Sequence, residues 1–420
     1  MIYYARSFLY FEVTSMKTTL CIVLSGVCAL AFSVFAETTY VVENRPGYNA
    51  WPVITTLGDR LVISYSRGKA HNCSEGCRDA IVRTSTDGAR TWTPEHVFVG
   101  NPDICEGAEG SGHDSNGALL FWLRCWGRSS VTHELYRSSD AVHFKRISVP
   151  KFDPFPIQVM DVVPVSGLGL ISLWFGGDYS AERGHSWGYL LSKDDGQTWS
   201  QITVERDLSK SEWPTEQSLV YIGGGRLLAV ARVENVAGGC LGQLYSEDFG
   251  HTWRRTKTSI TDVLESTPAL LYDADEEILT LYYFQRGAGL MKRRTAKLPD
   301  AVADSMTAWS PPRVVAYGRK IRPYDSGNVK AVRYKGSDYL AYYAGDERDV
   351  SVLVSVVGRG ETAPESLEGR RVLFLGDPDR AAVSEFARTN RCEALVYPTR
   401  TEAYRHHPNG AFAREFSTSF

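Results

Sequence analysis

Glu216 and Arg232 are the charged pair in this chain whose spacing most readily makes a site. Glu216 opens one strand-like run, and Arg232 closes the next, after Leu227-Leu228-Ala229-Val230-Ala231. A hairpin of that length returns both side chains to one end of a sheet, where ion pairing and partial dehydration tune a carboxylate. Arg67, in Tyr65-Ser66-Arg67-Gly68, and Arg286, in Phe284-Gln285-Arg286-Gly287, follow strand-like runs in the same relative place, and Arg124 is a weaker fourth. Guanidinium groups converging from several strands grip a carboxylate through paired, charge-assisted hydrogen bonds. The chemistry on offer is capture of an anionic ligand beside a carboxylate. A structural salt bridge is the alternative for the Glu216–Arg232 pair, and a solvated surface role for each arginine alone.

Such residues converge only if the elements carrying them repeat around one axis, and the chain does repeat. Ser85-Thr86-Asp87-Gly88-Ala89-Arg90-Thr91-Trp92 recurs as Ser192-Lys193-Asp194-Asp195-Gly196-Gln197-Thr198-Trp199 and as Ser246-Glu247-Asp248-Phe249-Gly250-His251-Thr252-Trp253. A worn copy stands at Ser138-Ser139-Asp140-Ala141-Val142-His143-Phe144. The leading serines at 85, 138, 192 and 246 are 53, 54 and 54 residues apart, a period that marks a repeat architecture. Ser and Asp oxygens satisfy the amides of a tight turn, Gly takes its left-handed position, and Trp packs between sheets. Apolar, β-branched runs flank each copy, about four short strands per period, which is one propeller blade. Two further units lack the turn: Leu279–Phe284 onward to Trp309-Ser310, and Tyr339–Tyr343 onward to Val354. The expectation is an all-β, six-bladed β-propeller over residues 37–357, with the strand at Thr39-Tyr40-Val41-Val42 completing the last blade and removing the open edge.

Composition agrees. The chain has 420 residues with 46 Lys+Arg against 49 Asp+Glu, a balance that excludes a protein wrapping nucleic acid by bulk charge. Met16-Lys17, the apolar run Thr19–Phe35 and the ending Val34-Phe35-Ala36 read as a signal peptide over residues 1–36, with Met16 as the expected true start. Secretion or periplasmic export follows, with no integral membrane domain after cleavage. Six cysteines would remain, and a secreted chain permits disulfides, with Cys73–Cys77 and Cys105–Cys125 as two arrangements. No spacing completes a tetrahedral zinc set, so no metal or other cofactor is expected.

The S-x-D-x-G-x-T-W motif in register with six units resembles the Asp-box repeats of the sialidase (neuraminidase) superfamily. That resemblance covers about residues 37–357 and implies a secreted glycoside hydrolase, an exo-α-sialidase-like enzyme, whose partners are sialylated or other acidic glycans. In the family a Glu and an Arg stand at the Glu216/Arg232 spacing: the Glu acts on the nucleophile, and the Arg grips the substrate carboxylate. The resemblance makes Arg67, Arg232 and Arg286 the carboxylate clamp. It places the acid/base on the loop after Arg67, where His71, Glu75 and Asp79 compete. The chain departs from the pattern twice. The Arg of a Phe-Arg-Ile-Pro-like first blade is replaced within Asn49-Ala50-Trp51-Pro52, and the tyrosine nucleophile of the sixth blade is replaced by Asn328. Tyr324 stands four residues earlier and serves only if its loop folds back; otherwise an activated water with Glu216 or Asp325 as base becomes the route.

His113, Asp114 and Asp161 are read at the starts of inner strands, pointing toward sugar hydroxyls, with turn chemistry as the alternative. The readings that remain beside the hydrolase are a non-catalytic carbohydrate-binding propeller and an acidic-glycan hydrolase or lyase on the same scaffold. From Gly358 to Phe420 the period is lost. Arg370–Gly376 reads as a strand, Asp379–Thr389 as a helix and Ala394–Tyr397 as a second strand, a short α/β-like extension.

Overall fold

The structure is a computed structural model. It describes residues 38–358, 371–375, 380–397 and 414–417, less 128, 235–238, 264, 287–288, 318–325 and 347. The leader reading on residues 1–36 lies outside them, as do Tyr324 and Asp325. No helix among the described residues is long and apolar enough to cross a membrane.

Among the described residues up to Gly358 the regular structure is β-strand, apart from the helix Leu298–Ala303 and two short 3₁₀ turns. The strands form six four-stranded antiparallel units, whose first strands are Gly47–Leu57, Ile104–His113, Gln158–Val165, Pro214–Gly223, Ala269–Asp273 and Ser326–Tyr334. Each first strand packs on its neighbours: the first unit's on the second's and the sixth's, the third's on the second's and the fourth's, and the fifth's on the fourth's and the sixth's. Thr38–Glu43 supplies the sixth unit's outermost strand, pairing Thr39 with Ser355 and Val41 with Leu353. The core lies between units. Leu227, Ala229 and Leu244 of the fourth unit meet Ile171, Phe175 and Trp187 of the third, and comparable clusters fill the other seams. Alternating side chains with one face toward each neighbouring sheet explain why consecutive residues such as Leu227, Leu228, Ala229, Val230 and Ala231 are all buried.

The recurring turn behaves as its residues dictate. Asp194 Oδ1 accepts the Thr198 amide at 2.9 Å, Asp194 Oδ2 accepts the Thr198 hydroxyl at 2.6 Å, and Ser192 Oγ accepts the Gly196 amide at 2.8 Å. The copies at Ser85 and Ser246 repeat this set. Two consecutive residues are left-handed in each full copy, Gly88 and Ala89, Asp195 and Gly196, Phe249 and Gly250. Trp199 reaches Trp122 of the preceding unit at 5.3 Å between ring centroids, and Trp253 reaches Trp187 at 5.6 Å. These turns therefore staple adjacent sheets and take no part in the site described below.

Two expectations change. All six cysteines among the described residues carry free thiols. Cross-strand register sets Cys105 opposite Trp126 and Cys125 opposite Glu106, so the two cysteines are offset by one residue and face opposite sides of their hairpin. Cys105 instead directs its thiol at the Gly76 carbonyl, 3.4 Å away. In the C-terminal extension, Arg371–Leu375 and Glu393–Tyr397 flank the helix Arg380–Asn390 and pair in parallel, and a third strand, Arg414–Ser417, which the sequence reading lacks, joins the other edge.

Two buried carboxyls give the fold opposite pH responses. For Glu43, burial pushes the pKa up, but hydrogen bonds from the Arg45 side chain and backbone and the charges of Arg45 and Arg83 outweigh it and bring it to about 2. Glu106 is pushed up to about 7 by burial, with Asp79 and Glu134 adding like charge. A depressed carboxyl stabilises above its ordinary pKa near 4.5, and that contribution is lost as pH falls toward 2. A raised one costs stability once pH climbs past 4.5, the cost growing until about 7. Glu106→Gln is therefore expected to raise thermal stability at pH 8 by up to about 3 kcal/mol, with little gain at pH 4.5. Equal shifts in melting temperature at both pH values would contradict the buried-acid assignment.

Candidate active site

The site is made by irregularities in the first strands. Their hairpin registers slip between Ala50 and Val53, Ala108 and Gly110, Val159 and Val162, Thr215 and Ser218, and Gly327 and Lys330. A bulge adds one residue to one strand and re-aims a side chain. Trp51, Glu216 and Asn328 occupy three of these bulges with φ of 51°, 48° and 48°. Left-handed backbone at a non-glycine residue is costly and persists where the surroundings enforce it. All three line both of two adjoining cavities, of about 480 and 330 Å³, together with His71 and Tyr179.

Glu216 and Arg232 meet as their spacing requires. Thr215 lies opposite Arg232 across the hairpin, and Arg232 Nη1 donates to Glu216 Oε1 at 2.8 Å. Glu216 Oε2 accepts the Thr267 hydroxyl from the fifth unit. Arg232 also pairs with Glu234, Nη2 donating to Oε2 at 3.0 Å, while Glu265 stands 4.0 Å away. Burial pushes the Glu234 carboxyl above its usual range even though Arg232 pulls the other way. Glu234 was legible in principle: two residues beyond Arg232 on an alternating strand, it shares that face.

Arg286 joins them from the fifth unit and lines the larger cavity with Glu216, Arg232, Glu234 and Glu265. Nε donates to the Ser326 carbonyl at 2.7 Å, Nη1 donates to the Glu265 carbonyl, and Nη2 donates to Asn328 Oδ1 at 3.1 Å, so its plane is fixed. The Tyr343 hydroxyl lies 3.4 Å from Nη2 on the same wall, and the other strand aromatics, Trp174, Tyr282, Tyr283 and Tyr342, are core. Of the three competitors on the loop after Arg67, the structure brings only His71 to the cavities, with Nδ1 at 2.6 Å from the Tyr48 hydroxyl. Arg78, absent from the sequence reading, lines the smaller cavity, donates to the Ala70 and His71 carbonyls, and lies 4.3 Å over the Trp51 ring. A guanidinium thus sits against Trp51, within the stretch that stands where the resemblance expects a first-unit arginine.

Other expected members stand elsewhere. Arg67 pairs with Asp79 at 3.3 Å and with Glu95, counter-charges within its own unit that turn it from the mouth and hold Asp79 with it. Glu75 pairs with Arg348 at 3.3 Å. His113 and Asp114 fall at the far end of their strand, because that strand begins at Ile104. His113 Nε2 donates to the Thr56 carbonyl, and Asp114 accepts Arg137 Nε at 2.6 Å beside a separate basin of about 570 Å³. Asp161 accepts Lys330 Nζ at 2.7 Å and the Ser111 amide at 2.9 Å and lines neither mouth cavity. Glu109 takes the mouth position in the second unit: Oε2 lies 2.8 Å from His133 Nδ1, and buried Oε1 has no hydrogen-bond partner. A repeat step of 54 residues carried back from Met160 lands on Glu106, so spacing alone does not single out Glu109. Among the described residues no cluster of His, Cys, Asp and Glu is arranged to hold a metal.

No family model and no curated protein matches the chain. Solved structures do. A Dyadobacter fermentans protein of unknown function aligns with a TM-score of 0.61 at 16% identity, covering 77% of this chain and 98% of that one. The NanB sialidase of Streptococcus pneumoniae aligns at 0.58 and 11% identity, covering 77% and 70%. Trypanosoma rangeli sialidase aligns at 0.54 and 12%, covering 76% and 57%. The scaffold is sialidase-like. At these identities the likeness concerns the fold, and on that sialidase-like scaffold the chemistry rests on the residues just described.

Proposed function

We propose that the chain is a secreted glycoside hydrolase that removes a terminal sialic acid or a related acidic sugar from a glycan, on a closed six-bladed propeller. The observation that carries this is the convergence of Glu216, Arg232 and Arg286, from the fourth and fifth units, on one cavity of about 480 Å³. Arg232 and Arg286 are oriented before any ligand arrives, so gripping a carboxylate costs little reorganisation. Glu216, steadied by Arg232 and Thr267, takes the proton of the attacking water. His71 donates a proton to the leaving oxygen, so water adds across the glycosidic bond and charge balances. Asn328 offers no nucleophile where the resemblance expects tyrosine, so the first-formed anomer should be inverted.

A second reading, a non-catalytic carbohydrate-binding propeller, draws support from the absence of an Arg in Asn49-Ala50-Trp51-Pro52 and from Asn328 where the resemblance expects Tyr. A panel of fluorogenic and natural sialosides separates the two. Release by the wild type, with NMR of the first anomer, supports the hydrolase. Saturable binding of the same sugars without release over the whole panel would leave only the binding module.

A further inference from the structure

Four arginines stand near or just past the ends of second strands, and three of them are committed. Arg67 is paired with Asp79 and Glu95, Arg232 with Glu216 and Glu234, and Arg286 with backbone carbonyls and Asn328. Arg124, on the strand Leu119–Gly127 of the second unit, differs. Among the described residues its guanidinium makes no ion pair or hydrogen bond, and its Nε is buried without a partner. It lies 4.7 Å over the ring of Trp126, which is 47% exposed. Both line the 330 Å³ cavity that adjoins the Glu216–Arg232–Arg286 cavity. The nearest carboxylates on that cavity are engaged with other groups: Glu109 Oε2 with His133 and the Val159 amide, and Glu216 with Arg232 and Thr267.

An uncompensated cation in a partly dry cleft is a poor arrangement unless an anion completes it. An exposed indole beside it offers apolar area for the C–H face of a sugar, the pairing of flat ring and charged fork that acidic carbohydrates fit. We propose that Arg124 and Trp126 form a second subsite that takes another acidic sugar unit, so that the preferred ligand carries negative charge on two adjacent residues. This rests on the reading that the larger cavity holds the first acidic sugar. Cation–π contact keeps the guanidinium over one ring face, with N–H groups left for the ligand's carboxylate.

The test is titration calorimetry with unhydrolysable sulfur-linked analogues of sialyl-lactose, which has a neutral second unit, and of α-linked di-sialic acid, using wild type, Arg124→Gln and Trp126→Ala. Wild type should bind the di-acid about tenfold more tightly, a preference that shrinks in high salt. Arg124→Gln should abolish the preference and leave sialyl-lactose affinity within about twofold; Trp126→Ala should reduce it. Both side chains are partly or largely exposed, so melting temperatures should stay near wild type. An undiminished preference in Arg124→Gln overturns the subsite, and so does equal wild-type affinity for both ligands. Di-acid binding that needs Arg124 while sialyl-lactose fails to bind supports the subsite and removes the first-cavity reading. Failure of both ligands overturns both.

Discussion

Glu216→Gln should lower kcat by about 10²- to 10⁴-fold while KM for a sialoside changes little. The substitution keeps the shape, and one side-chain oxygen still faces Arg232, so binding geometry persists. What disappears is the capacity to take a proton from water, a contribution made in the transition state and not in the ground state. A steady-state comparison on one substrate, with melting temperature as the control for folding, reads this directly. A loss confined to KM would recast Glu216 as a binding group. An unchanged kcat would remove it from the chemistry altogether.

Arg232→Met is the second large effect, and it falls first on stability. Arg232 is 9% exposed and lies between Glu216 and Glu234, themselves 7% and 3% exposed. Removing the cation strands two buried carboxylates, which costs about 3–5 kcal/mol. The Glu234 carboxyl, already above its usual range through burial, loses the charge that draws it down and keeps only the Thr215 hydroxyl. A raised carboxyl pKa costs stability as pH rises past its ordinary value, so the Arg232→Met deficit should grow between pH 5 and pH 8. Chemical denaturation at the two pH values measures it. A deficit that is small and flat with pH would mean that water, not Arg232, satisfies the carboxylates. Replacing Glu234 by Leu in the Arg232→Met background should recover part of the loss, since one uncompensated charge goes with it.

These expectations show which parts of the molecule can be read from residues alone. The repeated Ser–Asp–Gly–Thr–Trp turn is local chemistry, so its period counts units and its hydrogen bonds come out as the residues demand. The Glu216–Arg232 pair was legible for a related reason, since a hairpin of known length brings its ends together whatever surrounds it. The second unit was harder. Its turn keeps Ser138 in register but follows the unit's third strand, so it does not mark where the first strand begins, and His113 and Asp114 stood in for Glu109. Arg67 failed differently. Register pairs it with Asn49, one step beyond the Ala50–Ser66 pair that matches Thr215–Arg232, and Asp79 and Glu95 within its own unit claim its charge, neither of which the residue pattern reveals. Arg78 lay out of reach of pattern reading because it arrives from a loop, and only packing sets it over Trp51. Bulges at Trp51, Glu216 and Asn328 carry the site, and no single residue type announces them, since each is left-handed without being glycine.

Anion capture by Arg232 and Arg286 beside Glu216 is the claim on which the hydrolase reading stands. Calorimetric titration of the wild type with an unhydrolysable sialic acid glycoside and with its methyl ester tests it, since the two differ by one charge. The acid should bind about 10- to 100-fold more tightly than the ester, and Arg286→Gln should erase most of that gap. Equal affinity for acid and ester, or a gap that survives Arg286→Gln, would contradict it.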